Sequence, residues 1–226
     1  MQPSHRIRRQ MQQAQHHHGR DRRIALRRGG DAREGGVGSS RGLRVIGGLW
    51  RGRRLRAPAG EVVRPTAERV REALFDILAG RIVGGDFLDG YAGSGAIGIE
   101  ALSREARLVM FVERDPRALR QLRANLATLS DAGSRSRVVP GDLSEAISVA
   151  AGERIAFGFV YLDPPFGGGE LDRALRLVGR SRLLADGGLV IVEHEARPGP
   201  PASGDRLALV RTETYGRIGL SFFSAR

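Results

Sequence analysis

The sequence predicts an α/β fold whose largely parallel sheet is covered by helices on both faces. Three observations predict it. From residue 81 onward, short apolar runs alternate with segments of helical periodicity, the pattern left by successive strand–helix–strand crossovers. A glycine-rich turn, DGYAGSGAIG at residues 89–98, stands at the first strand-to-helix junction. Acidic residues close or follow the first three strands, where open α/β sheets bind their ligands.

The elements follow in order. FLD at 87–89 is a short buried strand, and a helix runs from about Gly95 to Ser103. LVMFVE at 108–113 is the second strand. The helix after it, 116–129, opens on Pro116 and repeats Leu119, Leu122, Leu126 and Leu129 on one face. A third strand at 137–139 precedes a helix at 143–149. GFVYLD at 158–163 is the fourth strand, followed by a helix at 170–178 and a fifth strand, GLVIVE at 188–193. The last segment reads as two strands turning near Gly216, so a C-terminal antiparallel hairpin completes a seven-stranded sheet.

At 226 residues the chain suits one such domain with smaller appendages. The division expected is a disordered Arg-rich tail over 1–41, a hairpin and helix over 42–80, and the main domain over 81–226. Within 42–80, LRVIGG and LWRGRRLRAP resemble two short strands. Thr66 is placed to cap a helix carrying Val70, Leu74, Ile77 and Leu78, which ends at Gly80.

Charge is segregated along the chain. Residues 1–72 carry 18 Arg against 6 acidic residues, whereas residues 73–226 carry 19 of each, so the first third holds the whole net charge of +12. An arm of that kind suits polyanions, since neutralising phosphates releases their counterions. Trp50 lies among Arg44, Arg51, Arg53 and Arg54, a set able to stack on bases while holding phosphates. The absence of cysteine excludes a disulfide framework, thiolate metal ligation and a cysteine nucleophile. No apolar run is long enough to cross a bilayer, and the N-terminus lacks the apolar core of a secretory signal. A cytoplasmic protein with no membrane partner and no metal is expected.

The glycine turn alone leaves the cofactor open, because Gly93, Gly95 and Gly98 also satisfy the dinucleotide pattern G-x-G-x-x-G. Asp89, four residues before Gly93, favours one of the readings. A carboxylate there repels a pyrophosphate but suits the cationic S-adenosylmethionine. Glu113 then reaches the ribose hydroxyls and Asp142 the adenine amino group.

Asp163, Pro164, Pro165 and Phe166 directly follow the fourth strand. An exocyclic amino nitrogen is a poor nucleophile because its lone pair is delocalised into the ring. Hydrogen bonds from its two N–H groups to the Asp163 carboxylate and the Pro164 carbonyl would turn the lone pair toward a methyl donor. The prolines stiffen the loop, and Phe166 stacks on a base drawn out of its helix. Methyl transfer to a base amino group is the reading these residues support. An adenine-N6 methyltransferase acting on DNA or another RNA, an NAD-dependent oxidoreductase and a non-catalytic RNA-binding assembly factor stay open beside it.

RVIGGLWRGRRL, RPTAERVREALFDIL, DGYAGSGAIGIEALSR, VERD, the pair Asn125 and Leu126, and YLDPPF occur in that order. Together they resemble the bacterial 16S ribosomal RNA guanine-N2 methyltransferases of the RsmD type, from about Leu43 to the C-terminus. The resemblance implies a Rossmann-like class I S-adenosylmethionine-dependent methyltransferase fold with a small N-terminal extension. It also implies a guanine in 16S rRNA as substrate, within a partly assembled small ribosomal subunit; a monomer is expected. By matching motif it implies cofactor contacts from Asp89, Gly93, Ser94, Gly95, Glu113 and Asp142, and a target-base site at residues 163–166. The segment holding Arg64, Thr66 and Arg69 is similar to one that lies over the cofactor site in that family, which implies cofactor contacts from Thr66 and Arg69 and an RNA contact from Arg64. Tyr91 stands where Cys or Phe is common, and residues 1–40 have no recognised counterpart.

Overall fold

The computed structural model describes residues 42–57, 65–165, 169–202 and 206–226. The expectations placed on the 1–41 tail, on Arg64 and on Phe166 lie outside the described residues.

Seven strands form one sheet in the order β3-β2-β1-β4-β5-β7-β6. Strands β1 (Asp86–Asp89), β2 (Leu108–Glu113), β3 (Ser136–Pro140), β4 (Phe157–Leu162) and β5 (Leu184–Glu195) run parallel. The last two, β6 (Leu207–Tyr215) and β7 (Ile218–Ala225), pair antiparallel with each other, and β7 pairs antiparallel with β5. The expected C-terminal hairpin is therefore present, and its second strand enters the sheet between its first and β5.

Side chains alternate across the parallel strands, as the strand period of two requires. Phe87, Phe111, Phe159, Tyr161 and Ile191 face one core with helices α1 (Pro65–Ile77), α2 (Ala96–Ser103) and α3 (Pro116–Ala127). Leu88, Val112, Val160, Leu162 and Val192 face the other, under α4 (Leu143–Glu153) and α5 (Glu170–Arg180). Helix α1 takes in Pro65, so Thr66 lies inside the first turn and is not the N-cap expected of it. Proline suits that first position because its fixed φ is already helical and its missing N–H would have no partner there.

Two glycines of the turn explain how α2 sits. Gly95 adopts φ +89°, and a Cβ on it would stand 2.5 Å from Leu122 of α3. A Cβ on Gly98 would stand 2.2 Å from the Phe111 ring, so α2 rests directly on β2. Both positions serve helix packing.

The segment before α1 folds back on itself as a short antiparallel pair: Arg44 bridges Arg54, Leu55 N donates to Leu43 O and Val45 N to Arg53 O, around a short 3-10 turn at Gly48–Trp50. It is fastened to α2 by Glu100, which is wholly buried. One Glu100 oxygen accepts from Ile46 N at 2.7 Å; the other accepts from Gly47 N and Arg104 Nε, each at 2.8 Å. Ser103 Oγ completes the joint by accepting from Trp50 N and donating to Gly47 O.

Glu100→Gln keeps the shape but removes the charge opposite Arg104 and sets an amide N–H against a backbone donor. It is expected to lower unfolding free energy by about 2–4 kcal/mol in urea denaturation. A change within error would show that the segment is held by its apolar contacts alone.

Candidate active site

The site lies at the carboxyl ends of β1, β2, β3 and β4, where the strand order reverses around β1. The turn leaving β1 is fixed by backbone bonds to both neighbours: Gly90 N donates to Tyr161 O and Ala92 N to Val112 O, each at 2.9 Å. Asp89 is 1% exposed, and its carboxylate accepts from Gly98 N at 2.9 Å, bracing the start of α2 from behind. Glu113 reaches the same turn. One of its oxygens accepts from Gly93 N, and the other from the amides of Arg114 and Asp115, all at 2.8 Å. Asp142 caps α4 by accepting from Ser144 N at 2.7 Å, and Glu145 closes a capping box by accepting from Asp142 N.

These pieces enclose a cleft of about 450 Å³. Asp89, Gly93 and Ser94 from the first turn, Glu113, Asp142, and Asp163, Pro164 and Pro165 after β4 all line it. The glycine turn and the Asp-Pro-Pro loop thus face one another across a single cavity. Gly95 does not line the cleft; it is turned toward α3, for the packing reason given above.

The arginine-rich segment needs a correction. Trp50, expected to stack on bases, is 7% exposed; its Nε1 donates to Ser130 Oγ at 3.3 Å and Arg135 covers its ring. An indole fills a core position readily once its N–H has a partner, and here that outcome removes it from solvent. Arg51, Arg53 and Arg54 are exposed, and Arg53 donates to Thr128 O at 3.2 Å. Arg44 is ion-paired with Glu68 at 2.8 Å. Arg69 is exposed on α1 and does not line the cleft.

Two residues outside the expected set support the site from behind its lining. Glu193, near the end of β5, accepts from Tyr161 Oη at 2.6 Å. The parallel register pairs Leu162 with Val192, so the next residues along, Asp163 and Glu193, become neighbours. The signal was present: GLVIVE closes on Glu as LVMFVE does. Asn125, met earlier only within a motif, is 2% exposed and joins three parts of the chain. Its side chain accepts from Arg56 N at 2.8 Å and donates to Arg56 O at 3.0 Å and to Ser94 O at 2.9 Å. The basic segment is thereby locked to the turn that lines the cleft.

The electrostatics follow from crowding carboxylates into a shielded floor. Burial pushes Asp89 up to about 7, against the help of the Gly98 amide and with added repulsion from Glu113. Burial, then Glu193 and Asp89, hold Asp163 well above the usual carboxylate range. Burial also raises Glu193, offset in part by the Tyr161 hydroxyl. Asp142 moves the other way, lowered by the hydroxyl and amide of Ser144. Such a floor attracts a cation and repels a pyrophosphate, which counts against a dinucleotide despite the glycine spacing.

The sheet order, the C-terminal hairpin and this cleft define a class I S-adenosylmethionine-dependent methyltransferase fold. A family model described as "conserved hypothetical protein 95" matches residues 43–224. The chain is 41% identical over 181 residues to ribosomal RNA small subunit methyltransferase D of Escherichia coli K12, covering 80% of this chain and 89% of that protein. It is 35% identical over 181 residues to the Haemophilus influenzae protein of the same name, covering 80% and 93%. A solved Escherichia coli chain, 37% identical, superposes with a TM-score of 0.70 over 81% of this chain and 98% of that one. A solved chain from Thermus thermophilus, 32% identical, gives 0.66 over 80% and 98%. The chain belongs to this family, that of the RsmD-type methyltransferases.

The raised Asp89 carboxyl carries a pH signature. A folded-state value above the unfolded one stabilises the ligand-free protein fully below about pH 4 and loses that contribution as pH rises toward 7. In ligand-free protein, the stability of Asp89→Asn relative to wild type is therefore expected to rise between pH 4 and 7 and then level off. Urea midpoints measured across that range would test it, and a pH-independent difference would count against a buried, proton-holding Asp89.

Proposed function

We propose that the chain transfers the methyl group of S-adenosylmethionine to the exocyclic N2 amino group of a guanine in 16S rRNA of the small ribosomal subunit. The observation that carries this reading is the shared cleft of the glycine turn and the Asp163-Pro164-Pro165 loop. The relatives' names, which specify small-subunit ribosomal RNA, support the substrate class.

The residues present fit the cofactor. Gly93 has open space where a side chain would stand, Glu113 and Asp142 offer acceptors on the neighbouring strand ends, and the acidic floor complements a cation. Bound there, S-adenosylmethionine supplies a methyl carbon already activated by its sulfonium leaving group.

The protein's own part is alignment and charge placement. Asp163 and the Pro164 carbonyl accept the two amino hydrogens of the base and fix the direction of the nitrogen lone pair. In the empty cleft burial, and after it Glu193 and Asp89, disfavour the ionised form of Asp163. A cation brought beside it favours the ionised form, which is the form that accepts hydrogen bonds and then the proton the amine releases. Arg51, Arg53 and Arg54 supply charge for the RNA backbone. A monomer acting in the cytoplasm on a partly assembled small subunit is consistent with this reading.

Asp163→Asn is expected to lower kcat by roughly 100-fold or more. Calorimetric binding of S-adenosylhomocysteine should be largely retained. Transfer of labelled methyl is expected with small-subunit particles and not with DNA; mass spectrometry of the product should find N2-methylguanine. Undiminished turnover in the variant would defeat the mechanism, and label confined to DNA or to an adenine would defeat the substrate assignment.

A further inference from the structure

We propose that the solvent face of α3 is a second contact for the RNA backbone, made by Arg117, Arg120 and Arg123. The proposal rests on an RNA substrate and extends the contact surface beyond the N-terminal segment.

The three arginines recur every third residue on α3, and all are exposed. At 100° per residue they span about 120° of the helix surface, directly opposite the buried stripe of Ala118, Leu119, Leu122 and Leu126. The helix carries no acidic residue from Pro116 to Ala127. Its flanking carboxylates are Asp115, which caps it by accepting from Arg117 N at 2.9 Å, and Asp131 beyond its end. Among the described residues, six arginines are ion-paired, and none of the three is among them. Like charges three residues apart disfavour a helix, so this face has no reason of local stability.

Its position gives it one. Arg114, exposed and lining the cleft, stands just before the first turn of α3. At the far end, Thr128 O accepts from Arg53, and Asn125 holds the backbone of Arg56. The ridge covers about 9 Å of a helix about 18 Å long at 1.5 Å per residue, and that helix runs from the rim of the cleft to the exposed arginines of the N-terminal segment. An unbroken row of guanidinium groups fits a repeating anion, as in a nucleic-acid backbone. A membrane surface fits poorly, because the apolar face an interfacial helix would insert is already buried in the core.

The test is the triple variant Arg117→Gln, Arg120→Gln, Arg123→Gln. A control, Arg176→Gln, Arg180→Gln, Arg182→Gln, removes the same charge from exposed positions on and just after α5. Filter binding to a 16S rRNA fragment, over a series of salt concentrations, is the readout. The ridge variant is expected to bind tenfold or more weakly at physiological salt, with the slope of log affinity against log salt shallower by roughly 2. S-adenosylhomocysteine affinity should be unchanged, and three Arg→Lys replacements should largely restore RNA binding. An unaltered slope, or an equal loss in the control, would overturn the ridge. Wild type that binds RNA with this salt dependence yet transfers no methyl would instead overturn the reaction proposed above.

Discussion

The chemistry of this protein depends on the parallel pairing of one four-residue strand with both of its neighbours. β1 is buried along its whole length, and its last residue, Asp89, stands opposite Phe111 of β2 and Tyr161 of β4. Because β2 and β3 lie to one side and β4 and β5 to the other, the connections after β1 and after β4 cover opposite faces of the sheet. Their strand ends are left open between them. The Gly90 amide then ties the first turn to the carbonyl of Tyr161, two residues before Asp163. The glycine turn and the Asp163-Pro164-Pro165 loop line one cleft because this pairing sets the two loops side by side.

The charge distribution has a spatial counterpart. A chain of net charge +12 keeps carboxylates at the floor of its cleft, where burial, Glu193 and Asp89 all oppose the ionisation of Asp163, and burial and Glu113 oppose that of Asp89. Among the described residues, Arg51, Arg53, Arg54 and Arg56 of the segment before α1 are exposed, and α3 sets a further row of arginines on the surface. The two signs suit two ligands. A cationic cofactor relieves the crowding of the floor, and a polyanionic substrate is drawn to the surface around it.

Asn125 and Glu100 connect those two regions. Glu100 fastens the N-terminal segment to α2, and Asn125 ties the backbone of Arg56 to Ser94 in the cofactor turn. Each does so with buried polar bonds, whose loss is costly because the freed groups have no water to replace them. The segment is thus carried as part of the domain, and its arginines hold a fixed relation to the cleft.

Much of this was legible in the residues themselves. Alternating apolar runs gave the order of the elements, Gly216 gave the final turn, and the Asp-Pro-Pro loop together with the acidic strand ends marked the cleft, because local periodicity and turn chemistry act over a few residues. What only the tertiary structure decided was which partner each side chain finds. Trp50 met Ser130 and Arg135 instead of solvent, Gly95 and Gly98 served Leu122 and Phe111, Glu193 came beside Asp163 through a strand register, and Asn125 joined segments 31 and 69 residues away. Such choices rest on contacts between distant parts of the chain. Their energies depend on the packed arrangement as a whole, and no window of neighbouring residues contains it.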